Sequence, residues 1–124
     1  MMLRDAPVEA RVAILIGTAG ALAFVLMGLV QAQVEADSSW LRFPVIIAVL
    51  ELLAVAGLAA GPRPARLVAA CLFGLVGLIH LLAVLNDGPV WLRVLSGVLS
   101  AAHVFAVVLL NTRPARLHYS GGQR

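Results

Sequence analysis

The sequence predicts an all-α membrane protein, an antiparallel bundle of four transmembrane helices that forms one domain over residues 1–124. Hydrophobic residues make up 62% of the chain and charged residues only 12%, and the mean hydropathy is +1.03. A soluble domain of this length needs a polar surface that this composition does not supply. Each of four apolar runs is close to the roughly 20 residues that cross about 30 Å of hydrocarbon. The runs lie at about residues 11–31, 42–60, 66–85 and 90–110.

The first run has the length of a span that is retained in the membrane. Its apolar segment covers residues 12–30. Arg4 ahead of this segment and the small residues "VEA" at 34–36 also suit a secretory signal with its cleavage site, but the apolar core of such a signal has only about 7–15 residues. We therefore expect the first span to be retained.

Turn and charge signals delimit the other three runs. "QVEADSSW" precedes the second run, "GPRPAR" separates the second from the third, and "NDGP" separates the third from the fourth. The final stretch, "NTRPARLHYSGGQR", is interpreted as a topological stop for translocation. Because the connections are short, neighbouring spans must run in opposite directions, which predicts the antiparallel bundle.

The arginines predict the orientation of the chain. All nine basic residues are arginine, and the net charge is +3. With a cytoplasmic N-terminus, only Arg42 and Arg93 lie in outer segments, and positive charge favours the cytoplasmic side. Both termini are therefore expected in the cytoplasm, with the chain a multi-pass protein of a bacterial plasma membrane, since arginine without lysine is typical of GC-rich bacterial genomes. The net charge follows from this topology, so no nucleic-acid partner is inferred. The inner arginines are Arg4, Arg11, Arg63, Arg66, Arg113, Arg116 and Arg124.

Two short motifs occur twice in the chain. "WLR" stands at 40–42 and 91–93, and "RPARL" stands at 63–67 and 113–117. The second and fourth spans are thus framed alike, by an outer Trp and Arg and by an inner Arg-Pro-Ala-Arg segment. Duplication of a two-helix unit explains this pattern, and so does convergence on residues favoured at membrane interfaces.

Three ionisable residues interrupt the apolar runs. Glu51 follows Trp40 by 11 residues and His103 follows Trp91 by 12, which places them about 16 and 18 Å from the tryptophans along their helices. His80 is expected near the same depth. An ionised side chain at mid-bilayer costs at least roughly 2.5–3.5 kcal/mol. Glu51 is therefore expected either to stay protonated or to share a proton with a histidine.

The fourth run also carries a polar stripe. Ser96, Ser100 and His103 have the i, i+4, i+7 spacing of one helical face. Hydrogen bonds between packed helices explain such a stripe, as does a polar cavity or a proton relay. Glu51, His80, His103, Ser100 and Ser96 are thus the candidate ligand-binding or proton-relay residues.

No cofactor and no catalytic residue are predicted. Haem between His80 and His103, non-haem iron held by the two histidines and Glu51, and a quinone are the weaker alternatives. The chain lacks phosphate-loop, hydrolase and zinc-protease motifs. Its single cysteine, Cys71, has no second cysteine for a disulfide or a redox pair.

The stretch "PVIIAVLELLAVAGLAAGPRPARLVAACLFGLVGLIHLL" combines a glutamate in a Leu-rich second span, a short turn with Gly and Arg, and a histidine near the outer end of the third span. Over about residues 44–85 the chain thereby resembles the DoxX-like family of small four-helix membrane proteins. It departs from the family pattern in "MGLVQAQ", which has no lysine, and in Ala54 and Val55, where the family has glycines. The resemblance implies a four-helix bundle and, in some members, association with quinone-linked or thiol-linked oxidoreductase systems. Of the candidate residues, it covers Glu51 and His80.

Three functions are compatible with these residues. Because no complete catalytic set is present, a non-catalytic accessory or assembly subunit of a larger bacterial membrane complex is favoured. Its partners would be the lipid bilayer and other membrane subunits or further copies of the chain. The alternative is a DoxX-like redox component that binds a quinone or another small hydrophobic ligand. The third option is a small proton-coupled transporter that uses Glu51 as its protonatable group.

Overall fold

The computed structural model describes residues 3–121, and all its regular secondary structure over that range is helical. Short 3-10 helices cover Leu3–Asp5 and Ser38–Leu41. The five α-helices are α1 (Val8–Glu35), α2 (Arg42–Ala60), α3 (Ala65–Leu85), α4 (Val90–Leu110) and α5 (Arg113–Ser120). The four long helices form a helical bundle in which α1 packs against α2 and α4, and α3 packs against α2 and α4.

Four helical segments are long and apolar enough to cross a membrane, which confirms the predicted number of spans among the described residues. They are Val8–Glu35, Ser38–Ala60, Ala65–Leu85 and Val90–Leu110. The second to fourth agree closely with the predicted runs. The first is longer at both ends, because the helix continues through the polar segment "QAQVE" and ends only where Ala36 adopts a left-handed conformation, with φ of 53°.

Small residues on α1 allow the other helices to pack closely against it. Its inward stripe repeats with alternating spacings of three and four residues, the period of one helical face. Large apolar side chains cover the opposite faces of the bundle, as Leu15 and Leu85 do at 66% and 70% exposure, which indicates contact with lipid. The α1 stripe consists of Ala10, Ala13, Gly17, Gly20, Phe24, Met27 and Gln31.

The two ends of the bundle differ in chemistry. The arginine end is defined by Arg63, Arg66, Arg113 and Arg116, which line one pocket. The tryptophan end is defined by the half-exposed Trp40 and Trp91. Arg124, which is predicted to be an inner arginine, lies outside the described residues. A hydrophobic core cluster lies towards the arginine end, where Leu58, Phe73, Leu110 and Tyr119 pack among buried alanines.

The segment after α4 forms a docked helix that was not predicted from the sequence. α5 begins after Thr112, has a proline in its first turn, and ends at Gly121 in a left-handed conformation with φ of 71°. These are the usual helix start and stop residues. Ala115 and Tyr119, one turn apart, are buried against the core. The Tyr119 hydroxyl donates a 2.9 Å hydrogen bond to the carbonyl oxygen of Leu58 on α2.

Candidate functional site

Glu51 and His103 form a buried pair in the middle of the bundle. Both side chains have no exposed surface, and Glu51 Oε2 lies 2.9 Å from His103 Nε2. α2 and α4 each supply one partner, as counting from the two tryptophans suggested. The structure thus brings together two of the candidate residues at hydrogen-bonding distance.

The other ring nitrogen fixes the hydrogen-bonding role of the imidazole. His103 Nδ1 lies 2.7 Å from the carbonyl oxygen of Leu99. Because a carbonyl oxygen only accepts, Nδ1 must carry a hydrogen and donate it. In a neutral ring Nε2 is then an acceptor, so Glu51 must be protonated and donate; otherwise the imidazole carries both hydrogens and Glu51 is ionised. In either form one proton lies between Glu51 and His103, and the pair is neutral overall.

The backbone of α1 closes over this pair. A Cβ atom placed on Gly20 would lie 2.6 Å from His103 Cε1, 2.9 Å from its Nε2 and 3.6 Å from Glu51 Oε2. A side chain at this position would therefore collide with the imidazole. The absence of a side chain at Gly20 allows α1 to shield the hydrogen bond.

His80 lies beside the pair on α3. Its ring centroid is 5.7 Å from that of His103 and 4.7 Å from that of Phe24, which it meets edge to face. The side chain is buried, and its Nε2 atom has no hydrogen-bond partner among the described residues. The three ionisable side chains of the spans therefore form one cluster.

The two serines of the α4 stripe have different environments. Ser100 Oγ donates a 2.8 Å hydrogen bond to the carbonyl oxygen of Gly77 and so links α4 to α3. Ser96 is equally turned into the bundle, but within residues 3–121 its hydroxyl has no partner. Ser100 thus serves helix packing, whereas Ser96 is available to a ligand.

A cavity of about 510 Å³ lies between His80 and the tryptophan end. Its walls are mainly apolar and aromatic, and include Phe24, Trp40 and Phe43. Three buried side chains on its surface each carry a polar atom that lacks a partner in the described part of the chain. These atoms are Gln31 Oε1, His80 Nε2 and Ser96 Oγ.

Gln31 was not among the candidate residues because the first span was expected to end there. The residue continues the inward stripe of α1, four residues after Met27, and that spacing is the signal that identifies it in the sequence. Its amide nitrogen donates a weak 3.4 Å hydrogen bond to Glu35 Oε1 one turn further along α1. Gln31 lines the cavity, and its amide oxygen has no hydrogen-bond partner among the described residues.

The cavity is negatively charged at its edge. Asp37 lies on the cavity lining, and the backbone N–H of Ser39 donates a 3.0 Å hydrogen bond to its Oδ1 atom. That backbone hydrogen bond, with a further contribution from the Ser39 hydroxyl, holds the pKa of Asp37 below its usual value. Neutral ligands are therefore favoured over anions at this entrance.

The residues around the Glu51–His103 pair and the cavity differ in how well they suit a metal ion, a haem and a quinone. Over residues 3–121, no group of three or more His, Cys, Asp or Glu side chains is arranged to hold a metal ion. A haem between His80 and His103 does not fit, because the 2.8 Å contact between Ser100 and Gly77 holds α3 against α4 within one turn of both histidines. The cavity has the chemistry for a quinone or quinol ring: aromatic walls, a Ser96 hydroxyl that can donate to a carbonyl oxygen, and a Gln31 Oε1 atom that can accept from a hydroxyl.

Comparisons of the chain with protein-family models, with curated proteins and with solved structures found no match.

Proposed function

We propose that this multi-pass membrane protein binds a small, mostly apolar molecule of the quinone class in the cavity near its tryptophan end. The observation that carries the proposal is the placement of three unpartnered polar atoms, on Gln31, His80 and Ser96, around one cavity. A buried polar group without a hydrogen bond costs about 1–3 kcal/mol. A ligand that satisfies these groups removes that cost on binding.

The size and the chemistry of the cavity define the ligand class. Its volume of about 510 Å³ lies within the range of roughly 300–1,000 Å³ typical of small-molecule sites. The Ser96 hydroxyl can donate to a ligand carbonyl, and Gln31 Oε1 can accept from a ligand hydroxyl. A quinone and its quinol offer these two groups, and the resemblance to DoxX-like proteins suggests the same class.

The Glu51–His103 pair supplies a proton next to this cavity. A bound quinone would contribute electron transfer that is coupled to protonation of its oxygens. His80 lies between the pair and the cavity, with its ring centroid 5.7 Å from that of His103. We assign Glu51 and His103 the role of holding a shareable proton and His80 the role of the polar contact nearest to the ligand.

The proposed topology places both termini in the cytoplasm of a bacterial cell. It is supported by the concentration of arginines at one end of the bundle, among them Arg63 and Arg113. The four spans then run alternately in opposite directions, and the ligand cavity opens towards the outer half of the membrane. Hydrophobic molecules dissolved in the bilayer would have direct access to this depth.

Tryptophan fluorescence provides the test. The chain has two tryptophans, and the variant Trp91→Phe leaves Trp40, which lines the cavity, as the only one. Titration of this variant in detergent with a short-chain ubiquinone analogue is expected to quench Trp40 fluorescence with saturation. Adding Ser96→Ala is expected to weaken binding by about fivefold to tenfold, since one hydrogen bond is worth about 1 kcal/mol.

Ser100→Ala is the matched control because Ser100 lies one turn away on the same helix and bonds Gly77 instead of lining the cavity. Its quinone affinity is expected to equal that of the parent. A second variant, Ala83→Leu, fills the cavity without removing a polar group and is expected to abolish saturable quenching. Equal affinity in the Ser96→Ala, Ala83→Leu and parent proteins would refute the proposed site.

The accessory-subunit and transporter hypotheses stay predictions from the sequence. Purification in mild detergent tests the accessory-subunit hypothesis, because a structural subunit is expected to retain a second membrane protein at fixed stoichiometry. Proton uptake into vesicles that contain the purified chain tests the transporter hypothesis, with Glu51→Gln as the inactive control.

A further inference from the structure

The two copies of the "RPARL" motif meet at one pocket at the arginine end. Arg63 and Arg66 come from the first copy, and Arg113 and Arg116 come from the second. The pocket has a volume of about 660 Å³. The copies start fifty positions apart in the chain, so only the folded bundle brings these four guanidinium groups together.

The two copies have similar local structures. Each contributes the start of a helix, since the first copy leads into α3 at Ala65 and the second begins α5 at Arg113. The alanine of each motif, Ala65 or Ala115, is buried against the core. The leucine that ends each motif is exposed on the surface. The repeat is thus explained structurally by a pair of helix starts that direct arginines towards a common space.

Contacts with the core hold the pocket in place. Arg66 Nη1 donates hydrogen bonds to the carbonyl oxygen of Leu110, at 3.3 Å, and to Asn111 Oδ1, at 3.1 Å. Tyr119, whose hydroxyl is bonded to Leu58, forms part of the wall and fixes α5. The position of Arg66 is therefore set by the fold, and the other three arginines extend from helix starts that the fold brings together.

No carboxylate among the described residues neutralises the charge of this pocket. In the range 3–121, none of the four arginines forms a salt bridge with a carboxylate, since the salt bridge between Glu51 and His103 is the only one there. Four like charges around one space repel each other, and an anion in that space removes the repulsion. Guanidinium groups bind phosphate oxygens in bidentate geometry, which makes phosphate the anion that suits them best.

We propose that this pocket binds the phosphate group of an anionic phospholipid headgroup. The pocket lies where α2 and α4 end and α3 begins, at the level where the ends of membrane spans meet lipid headgroups. Leu117, which is 42% exposed, offers an apolar surface on the pocket lining for the glycerol and acyl portion of a lipid. A free phosphate ion has no apolar group that could contact Leu117.

The test uses the full chain in an uncharged detergent, titrated with short-chain phosphatidylglycerol, short-chain phosphatidylcholine or inorganic phosphate. Calorimetry is expected to show one saturable site for phosphatidylglycerol and binding at least about tenfold weaker for the other two. Each arginine near an anionic lipid contributes about a fivefold change in affinity. Arg63→Gln with Arg113→Gln removes one exposed arginine from each motif and is expected to weaken phosphatidylglycerol binding by about 25-fold.

Arg11→Gln with Arg42→Gln is the matched control, because both residues are exposed, neither lines the pocket and the change in net charge is the same. Its affinity is expected to match that of the parent. Arg63→Lys with Arg113→Lys keeps the charge but removes the guanidinium fork. Its affinity for phosphatidylglycerol is expected to lie between those of the parent and the glutamine variant. Equal losses in the control and pocket variants would overturn the proposal, and inorganic phosphate binding as tightly as phosphatidylglycerol would assign the pocket to free phosphate instead.

Discussion

The carboxyl group of Glu51 is stabilised in the bundle by two features of its surroundings. His103 Nε2 lies within hydrogen-bonding distance of Oε2, and the pair has no net charge in either position of its proton. Glu51 Oε1 has no partner within the described range. An unpartnered oxygen costs less on a neutral acid than on a carboxylate, because the ionised form needs more solvation. We therefore expect the proton to reside on Glu51.

This proton position predicts different effects for two substitutions. In Glu51→Gln, the amide N–H can donate to His103 Nε2 as the protonated acid does, so the free energy of unfolding is expected to change by less than about 1 kcal/mol. Glu51→Ala leaves the imidazole unpaired beside a void and is expected to lower the free energy of unfolding by about 2–4 kcal/mol. Denaturation of the purified variants in detergent measures both values. A loss in Glu51→Gln as large as that in Glu51→Ala would place the proton on His103 instead.

Much of the residue-level arrangement follows from regular helix geometry. The rise per residue predicted similar depths for Glu51 and His103, and the i, i+4, i+7 spacing predicted that Ser96 and Ser100 face the same way as His103. The difference between the two serines was not predictable from spacing, because it depends on whether a facing helix offers a carbonyl oxygen. Gln31 was missed for another reason. A polar residue directly after an apolar run looks the same in the sequence whether it faces the bundle interior or marks the end of a span at the membrane interface.

At the level of elements, the close approach of α1 to the Glu51–His103 pair depends on Gly20. Gly20→Ala would place a methyl group 2.6 Å from His103 Cε1. We expect the free energy of unfolding to fall by about 1–3 kcal/mol, the usual range for an overpacked interior. Gly57→Ala is the control, because its Cβ would lie 3.6 Å from Ala65 Cβ at ordinary contact distance. Its stability should be maintained or increased, and equal losses in both variants would contradict a specific contact at Gly20.

The helix α5 shows a limit of interpretation by composition. Hydropathy identifies the four spans because each is a long apolar run, but α5 has only eight residues, and its arginines make it look like a polar tail. Its burial depends on two residues, Ala115 and Tyr119, and on a hydrogen bond to α2. The start and stop residues were visible in the sequence, but the surface that receives the helix exists only in the folded bundle.

The docking of α5 is expected to depend on pH through Tyr119. Burial raises the pKa of Tyr119 from 10.0 to about 12. Because this pKa is higher in the folded state, the stabilisation is fully present below pH 10 and is lost as the pH rises from about 10 to about 12. Tyr119 is the only tyrosine, so ultraviolet absorbance of tyrosinate measures its titration directly. A midpoint near 10 in the folded protein would contradict docking, and Tyr119→Phe provides the spectral blank.

At the level of the whole molecule, arginines, aromatic residues and the cavity are distributed unevenly along the bundle. The arginine pocket and the cavity lined by Trp40 lie at opposite ends, with the Glu51–His103 pair between them. The positive-inside rule predicts that the arginine end faces the cytoplasm. The number and approximate length of the spans followed from the sequence. The meeting of the two "RPARL" copies did not, because counting residues along helices gives a depth in the membrane but not which helix ends are neighbours.

The orientation is tested by labelling single cysteines in intact cells. Cys71→Ala removes the native thiol, and Gly88→Cys and Pro62→Cys then report on opposite ends, in the α3–α4 and α2–α3 connections. A Cβ at Gly88 meets no atom within 4 Å, and Pro62 is exposed, so neither change should disturb packing. A membrane-impermeant maleimide is expected to label Gly88→Cys in intact cells and Pro62→Cys only after permeabilisation, because the positive-inside rule predicts that the arginine-rich α2–α3 connection is cytoplasmic. The reverse labelling pattern would place the arginine pocket outside the cytoplasm and the cavity near the tryptophans on the cytoplasmic side.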